Sequence, residues 1–249
     1  MSIIYLLYFS ISIFIGFISA IFGIGGGFLI VPVLSLLGLD IHHAIGTSSA
    51  AIIFSSFSAI IEYRKQGRIN YRIGIMLALP SIFGAYSGAW ITKFLNSSYL
   101  ELMFGILLLA IAIRIWKQKI EVKEIHPNYI LISIAGFFTG MLSGLLGIGG
   151  GIINVPIFSC LGLSIHSAIA TSSFVIFFTS MASSIKHYSL GNVNFIWLIF
   201  LIPGLAAGAQ IGAKVAKKIK ARNLKNIFSI PLFILAFRMI LKSIGMNIP

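Results

Sequence analysis

About 20 consecutive apolar residues are enough to cross the hydrocarbon core of a bilayer as a helix. This chain carries eight runs of roughly that length, at 3–22, 44–61, 73–92, 99–116, 128–146, 168–185, 195–213 and 227–244. Two shorter apolar pieces, 28–37 and 152–161, follow clusters of glycine. As helix each of these covers only about 15 Å, half the hydrocarbon thickness, so they are expected to be half-helices and not spans. Charged residues make up 9% of the 249 positions, where a soluble domain has about a quarter. The net charge of +13 would suggest nucleic acid on a polar domain, but here it lies in short loops between apolar runs. That distribution marks a polytopic membrane protein oriented by its basic loops, with no nucleic-acid partner. The single cysteine, Cys160, excludes an internal disulfide framework and a thiolate-rich metal site. The first apolar run lacks the basic start and small-residue cleavage site of a removable signal peptide.

The sequence repeats itself at an offset of 124 residues. Gly23 to Gly27 (Gly-Ile-Gly-Gly-Gly) falls on Gly147 to Gly151, Val31-Pro32 on Val155-Pro156, and Gly38-Leu39 on Gly162-Leu163. His42 falls on His166, Thr47-Ser48-Ser49 on Thr171-Ser172-Ser173, Asn70 on Asn194, and Gly84 and Gly88 on Gly208 and Gly212. The expected organisation is therefore two transmembrane repeats, 1–118 and 128–249, joined by a cytoplasmic linker at 119–127. If each glycine cluster tips a re-entrant hairpin followed by three crossings, fourteen cations share one face. They are Arg64, Lys65, Arg68 and Arg72, then Arg114, Lys117, Lys119 and Lys123, then Lys214, Lys217, Lys218, Lys220, Arg222 and Lys225. Only Lys93, Lys186, Arg238 and Lys242 lie opposite. Threading the first segments straight across gives eleven against seven. The positive-inside rule thus favours inverted repeats, a cytoplasmic linker and both termini outside.

Glycine inside an apolar helix exposes backbone amides, which a bilayer tolerates only where they are buried in protein or line a cavity. Gly25, Gly26 and Gly27, with Gly149, Gly150 and Gly151, would let an anion approach the main chain at the positive N-terminal end of the following half-helix. A tight turn or close packing is the plainer reading of either cluster alone. Neither is a dinucleotide fingerprint, because Phe28 and Ile152 fill the third glycine position and no βαβ unit surrounds them. Thr47, Ser48 and Ser49, with Thr171, Ser172 and Ser173, are expected to open the next helix and to offer neutral hydroxyls and first-turn amides. Helix capping or helix-to-helix bonding would use the same residue types. His42 and His166 are candidates for proton coupling because imidazole is the side chain suited to it, though an imidazole satisfied at an interface fits them as well. The five histidines show no metal-ligand spacing, and no cofactor motif appears. Gly84, Gly88, Gly208 and Gly212 have the spacing of close helix packing. No acid sits at the centre of a run, which disfavours a carboxylate relay for cations.

The duplicated Gly-Ile-Gly-Gly-Gly run, the proline that follows it (Pro32, Pro156) and the later Thr-Ser-Ser resemble the sulfite exporter TauE/SafE family, also called the toluenesulfonate uptake permeases. The resemblance covers nearly the whole chain. It implies an all-α, multi-pass plasma-membrane transporter, an exporter of small sulfur-containing anions such as sulfite or organosulfonates, working by alternating access. It also implies that the two glycine clusters and the two Thr-Ser-Ser segments line the substrate site. Asn154 joins them with an asymmetry, standing where the first half has Ile30. Other classes remain at this stage: a non-transporting membrane subunit, and an intramembrane enzyme, which is disfavoured by the absence of HExxH, paired carboxylates or a cysteine nucleophile.

Overall fold

The computed structural model describes residues 2–117, 129–216 and 233–244. Among them every regular element is helical: α1 Ser2–Phe22, α2 Gly27–Leu36, α3 Ile41–Lys65, α4 Tyr71–Ile91, a 3₁₀ turn Thr92–Phe94, α5 Ser97–Lys117, α6 Tyr129–Leu146, α7 Gly151–Cys160, α8 Ile165–Ser189 and α9 Phe195–Val215. A last helix, α10, occupies 233–243. Helices over Ile41–Lys65, Tyr71–Phe94, Tyr129–Leu146, Ile165–Ser189 and Phe195–Val215 are long and apolar enough to cross a membrane. The two half-helices are 10 residues each, as their lengths in sequence predict. The linker at 119–127, the basic stretch 217–225 and the start of the last run, 227–232, lie outside the described residues.

The side-chain distribution is that of a protein dissolved in lipid. Large apolar groups face outward, with Phe83 70% and Ile199 67% exposed, while many small hydroxyl residues are buried inside beside the apolar core. Two helix pairs pack backbone against backbone. A Cβ on Gly84 would run into the Phe137 carbonyl and one on Gly88 into that of Met141. Gly208 and Gly212 stand likewise against the carbonyls of Ile13 and Phe17. These glycines let α4 lie on α6 and α9 on α1 at close range, the packing that their spacing predicts.

The same contacts set helix direction. The carbonyls of Leu77, Ser81 and Ala85 meet Gly136, Gly140 and Gly144 in turn, so α4 and α6 run parallel; Ile13 and Phe17 against Gly208 and Gly212 make α1 and α9 parallel. Pairing of Ser49 with Ser183 and of Phe57 with Phe177 makes α3 and α8 antiparallel. Since α4 begins where α3 ends, and α9 where α8 ends, α1 and α3 start at one end of the bundle and α6 and α8 at the other. Each glycine break therefore turns the chain back on itself, and the two hairpins return to opposite ends. The end that bears Arg64, Lys65, Arg68 and Arg72 also bears Lys214, because Gln66 reaches the Ala213 carbonyl at 3.1 Å. Lys93 and Lys186 close α4 and α8 at the other end.

Candidate substrate site at the paired helix breaks

Both breaks are built from backbone that only glycine adopts readily: Gly25 and Gly26 have φ of 95° and 79°, Gly149 and Gly150 of 80° and 75°. Gly26 and Gly150 are the N-caps of α2 and α7, and neither helix start receives a side-chain cap. Each offers first-turn amides and the positive end of a helix dipole. The two tips touch. A Cβ on Gly25 would lie 3.0 Å from the Ile148 carbonyl oxygen and 3.3 Å from the Gly149 Cα. One on Gly27 would strike the Gly147 carbonyl, and one on Gly151 the Gly23 carbonyl. Thus Gly25, Gly27, Gly149 and Gly151 meet across the two halves, while the nearest atoms to a Cβ on Gly26 or Gly150 belong to that glycine's own half.

The Thr-Ser-Ser segments sit differently from the sequence expectation. They do not open their helices. Asp40 caps α3 by accepting from the His42 backbone N–H at 2.9 Å, and Ser164 caps α8 by accepting from that of Ser167 at 3.3 Å. Thr47 and Thr171 therefore lie in the second turn, where backbone amides are already used in the helix. All six side chains are buried. Ser48 donates to the Gly147 carbonyl at 2.8 Å and Ser172 to that of Gly23 at 2.7 Å, so each hydroxyl clamps the opposite tip. Thr47 accepts from the Asn194 N–H at 2.9 Å and Thr171 from that of Asn70 at 3.0 Å. These four bonds are reciprocal across the two halves. The third positions diverge: Ser49 accepts from Ser183 at 3.0 Å, whereas Ser173 donates to the Ile169 carbonyl of its own helix at 3.1 Å.

Asn154 is 1% exposed, and its amide nitrogen lies 3.6 Å from where a Cβ on Gly150 would stand. Neither its nitrogen nor its oxygen has a partner, and it is the one described side chain with two buried polar atoms so placed. Ser180 on α8 is a further buried hydroxyl without a partner, one that sequence reasoning passed over.

His42 and His166 lie in the first turns of α3 and α8, at opposite ends of the bundle and a half-helix away from the tips. Burial pulls the neighbouring Asp40 carboxyl up, but the His42 backbone N–H, the Ser97 hydroxyl and the imidazoles of His42 and His43 outweigh it and hold the group below the ordinary carboxylate range. Asp40 thus places a negative charge at one hairpin mouth; Ser164 places none at the other. His187, opposite Tyr63 in the repeat, is buried and donates from Nε2 to the Gly144 carbonyl at 2.9 Å. Tyr63 makes the matching bond to Ala20 at 2.6 Å. Glu101, near the start of α5, is 5% exposed and pairs with Lys242 of α10 at 2.9 Å. Lys242 also donates to Ser35 of the half-helix α2 at 2.8 Å. Position near a helix end concealed that pair in the sequence.

The family profile described as sulfite exporter TauE/SafE matches residues 8–239. The chain belongs to the TauE/SafE family. Its relatives include the probable membrane transporter protein YunE of Bacillus subtilis, 32% identical over 92% of this chain and 94% of that one. A probable membrane transporter protein of Methanocaldococcus jannaschii is 32% identical over 91% of this chain and 92% of its own. YdhB of Bacillus subtilis, also a probable membrane transporter protein, is 31% identical over 92% and 96%. No solved structure matches the chain. With its apolar, lipid-facing helices, this TauE/SafE member is a multi-pass membrane protein of a transporter family.

Proposed function

We propose that the chain exports a small sulfur-containing anion, such as sulfite or an organosulfonate, across the plasma membrane by alternating access. In this reading the halves are inverted repeats, with the basic end of the bundle cytoplasmic. The carrying observation is the contact between two uncapped half-helix starts, Gly25 to Gly27 and Gly149 to Gly151, presented by hairpins that return to opposite ends. Two helix dipoles then point positive ends at one place, which suits an anion. Neutral donors hold such a ligand without a fixed countercharge, so it can leave again. Ser48 and Ser172 act here as positioning residues, holding the opposite tip by its carbonyl, and Thr47 and Thr171 tie down the loops before α9 and α4. Hairpins anchored at opposite ends supply the asymmetry that alternating access needs.

The test is flux. The purified chain in liposomes, loaded with sulfite, sulfate, thiosulfate or short sulfonates in turn, should release at least one of them faster than empty liposomes do. Silence with the whole panel, from protein shown to be monodisperse and inserted, would favour a non-transporting subunit.

A further inference from the structure

Asn154 departs from the symmetry of the site in a way that specifies ligand chemistry. Its amide projects back along α7 toward Gly150, the left-handed N-cap, and is sealed from solvent with both polar ends unmatched. A buried donor or acceptor left unmade is costly, so a ligand that supplies the partner is strongly favoured. The first half has no such group. Ile30 stands at the equivalent position, fully buried, and Ile15 and Ser19 flank Gly26 where Thr139 and Ser143 flank Gly150. Polar recognition is therefore richer on the second tip, which has Thr139, Ser143 and Asn154 where the first has Ile15, Ser19 and Ile30.

An amide has two faces of opposite character. Its NH₂ donates and its carbonyl accepts. An oxyanion with no hydrogen of its own satisfies the donor and the α7 amides, but sets lone pairs against the Asn154 carbonyl. An oxyanion with an O–H beside it satisfies both ends: its charged oxygens take the amide N–H and the α7 start, and its hydroxyl donates to the carbonyl. Resting on the reading of the tips as an anion site, we infer that Asn154 is its specificity-determining residue and selects a hydroxyl-bearing oxyanion over one without a hydroxyl.

The test compares hydroxyethanesulfonate with propanesulfonate, two anions of equal charge and similar size that differ by a hydroxyl in place of a methyl group. Calorimetry on the purified full-length protein at one fixed pH should show the hydroxylated anion binding about tenfold more tightly, the worth of one added hydrogen bond in a site that otherwise leaves it unmade. Asn154→Leu should erase that preference and weaken both. Equal binding of the two by the wild type would overturn the assignment, and this comparison needs no variant to fold. So would an undiminished preference in Asn154→Leu, which would mean that the amide serves only a buried water. If the wild type bound neither these nor any anion of the flux panel, the tip site itself would fail and the inference with it; binding without preference would remove the inference alone.

Discussion

Replacing Gly27 with alanine tests the tip contact through its energetics. The new Cβ would run into the Gly147 carbonyl and stand 2.7 Å from the Ile148 Cα and 2.8 Å from the Ile52 Cδ1. Carbon pairs settle at about 3.5–4.0 Å and the carbonyl stands closer still, so the tips must part by more than about 1 Å. Overpacking of this kind costs about 1–3 kcal/mol. The displaced carbonyl is also the one that Ser48 holds at 2.8 Å. Losing an interhelical hydrogen bond in a membrane protein costs about 0.6 kcal/mol on average and up to about 1.7. Together the substitution should destabilise by about 2–4 kcal/mol, a large part of a typical folding free energy of about 5–15 kcal/mol. Gly151→Ala should match it, through the Gly23 carbonyl and Ser172. Reversible unfolding in mixed micelles, followed by circular dichroism, measures the loss. Because Gly27→Ala and Ser48→Ala act on one carbonyl, the double variant should fall short of additivity by about the hydrogen bond's worth. Gly162→Ala is the control: φ is 83° there but the space is open, so only the strain of a left-handed backbone, about 1–2 kcal/mol, is paid and no coupling to Ser48 appears. A Gly27→Ala loss below about 0.5 kcal/mol, or strict additivity with Ser48→Ala, would refute the contact.

If His42 or His166 carries a coupled proton, changing both to Gln flattens the pH dependence of transport between about pH 5 and 8, where imidazole changes charge; an unchanged profile removes histidine from the mechanism. Glu101→Gln should destabilise by about 2–3 kcal/mol, less than the 3–5 of a fully buried pair because the Lys242 side chain keeps 27% exposure. Adding Lys242→Met should recover part of that loss in the same unfolding assay, whereas a larger loss in the double variant would mean the pair is not what Glu101 contributes. Single cysteines at Lys65, Lys93 and Lys186, in a background without Cys160, should react with an impermeant reagent on intact cells at the last two positions only. Labelling at Lys65 from outside would reverse the orientation.

The breaks, the half-helices and the packing glycines were legible because each leaves a one-dimensional mark: glycines inside an apolar run, a run too short to span, and small residues four apart. Hairpin direction was legible only through loop charge, and the helix contacts agree with that layout. What escaped is what depends on the partner half. Ser48 and Ser172 resemble helix-opening residues until the tip 99 or 149 positions away is brought beside them. The true caps, Asp40 and Ser164, were visible as capping types just before an apolar run, but the Thr-Ser-Ser triplet is the richer hydroxyl cluster and drew the helix start toward itself. Glu101 sits near a helix end, where an acid is ordinarily solvated. Here it is buried and paired with Lys242, brought in by the last helix. Asn154 did announce itself, as the polar member of an otherwise apolar repeat pair with Ile30. Its unmatched amide is a property of the packed interior and has no sequence signature.

If both glycine tips form one anion site, a block at either tip abolishes binding. The decisive measurement is anion binding to Gly26→Val and Gly150→Val, by calorimetry on protein first shown to be monodisperse. Both positions have positive φ, and the nearest atoms to a Cβ there are the Ser19 Cβ at 3.2 Å and the Thr139 carbonyl at 3.3 Å, each within its own half. A branched side chain there blocks approach to the amides and strains the turn. Each variant should insert and fold yet lose anion binding, the first-half variant as completely as the second. Wild-type affinity in a folded Gly26→Val or Gly150→Val protein would contradict the shared site and return that cluster to a packing role.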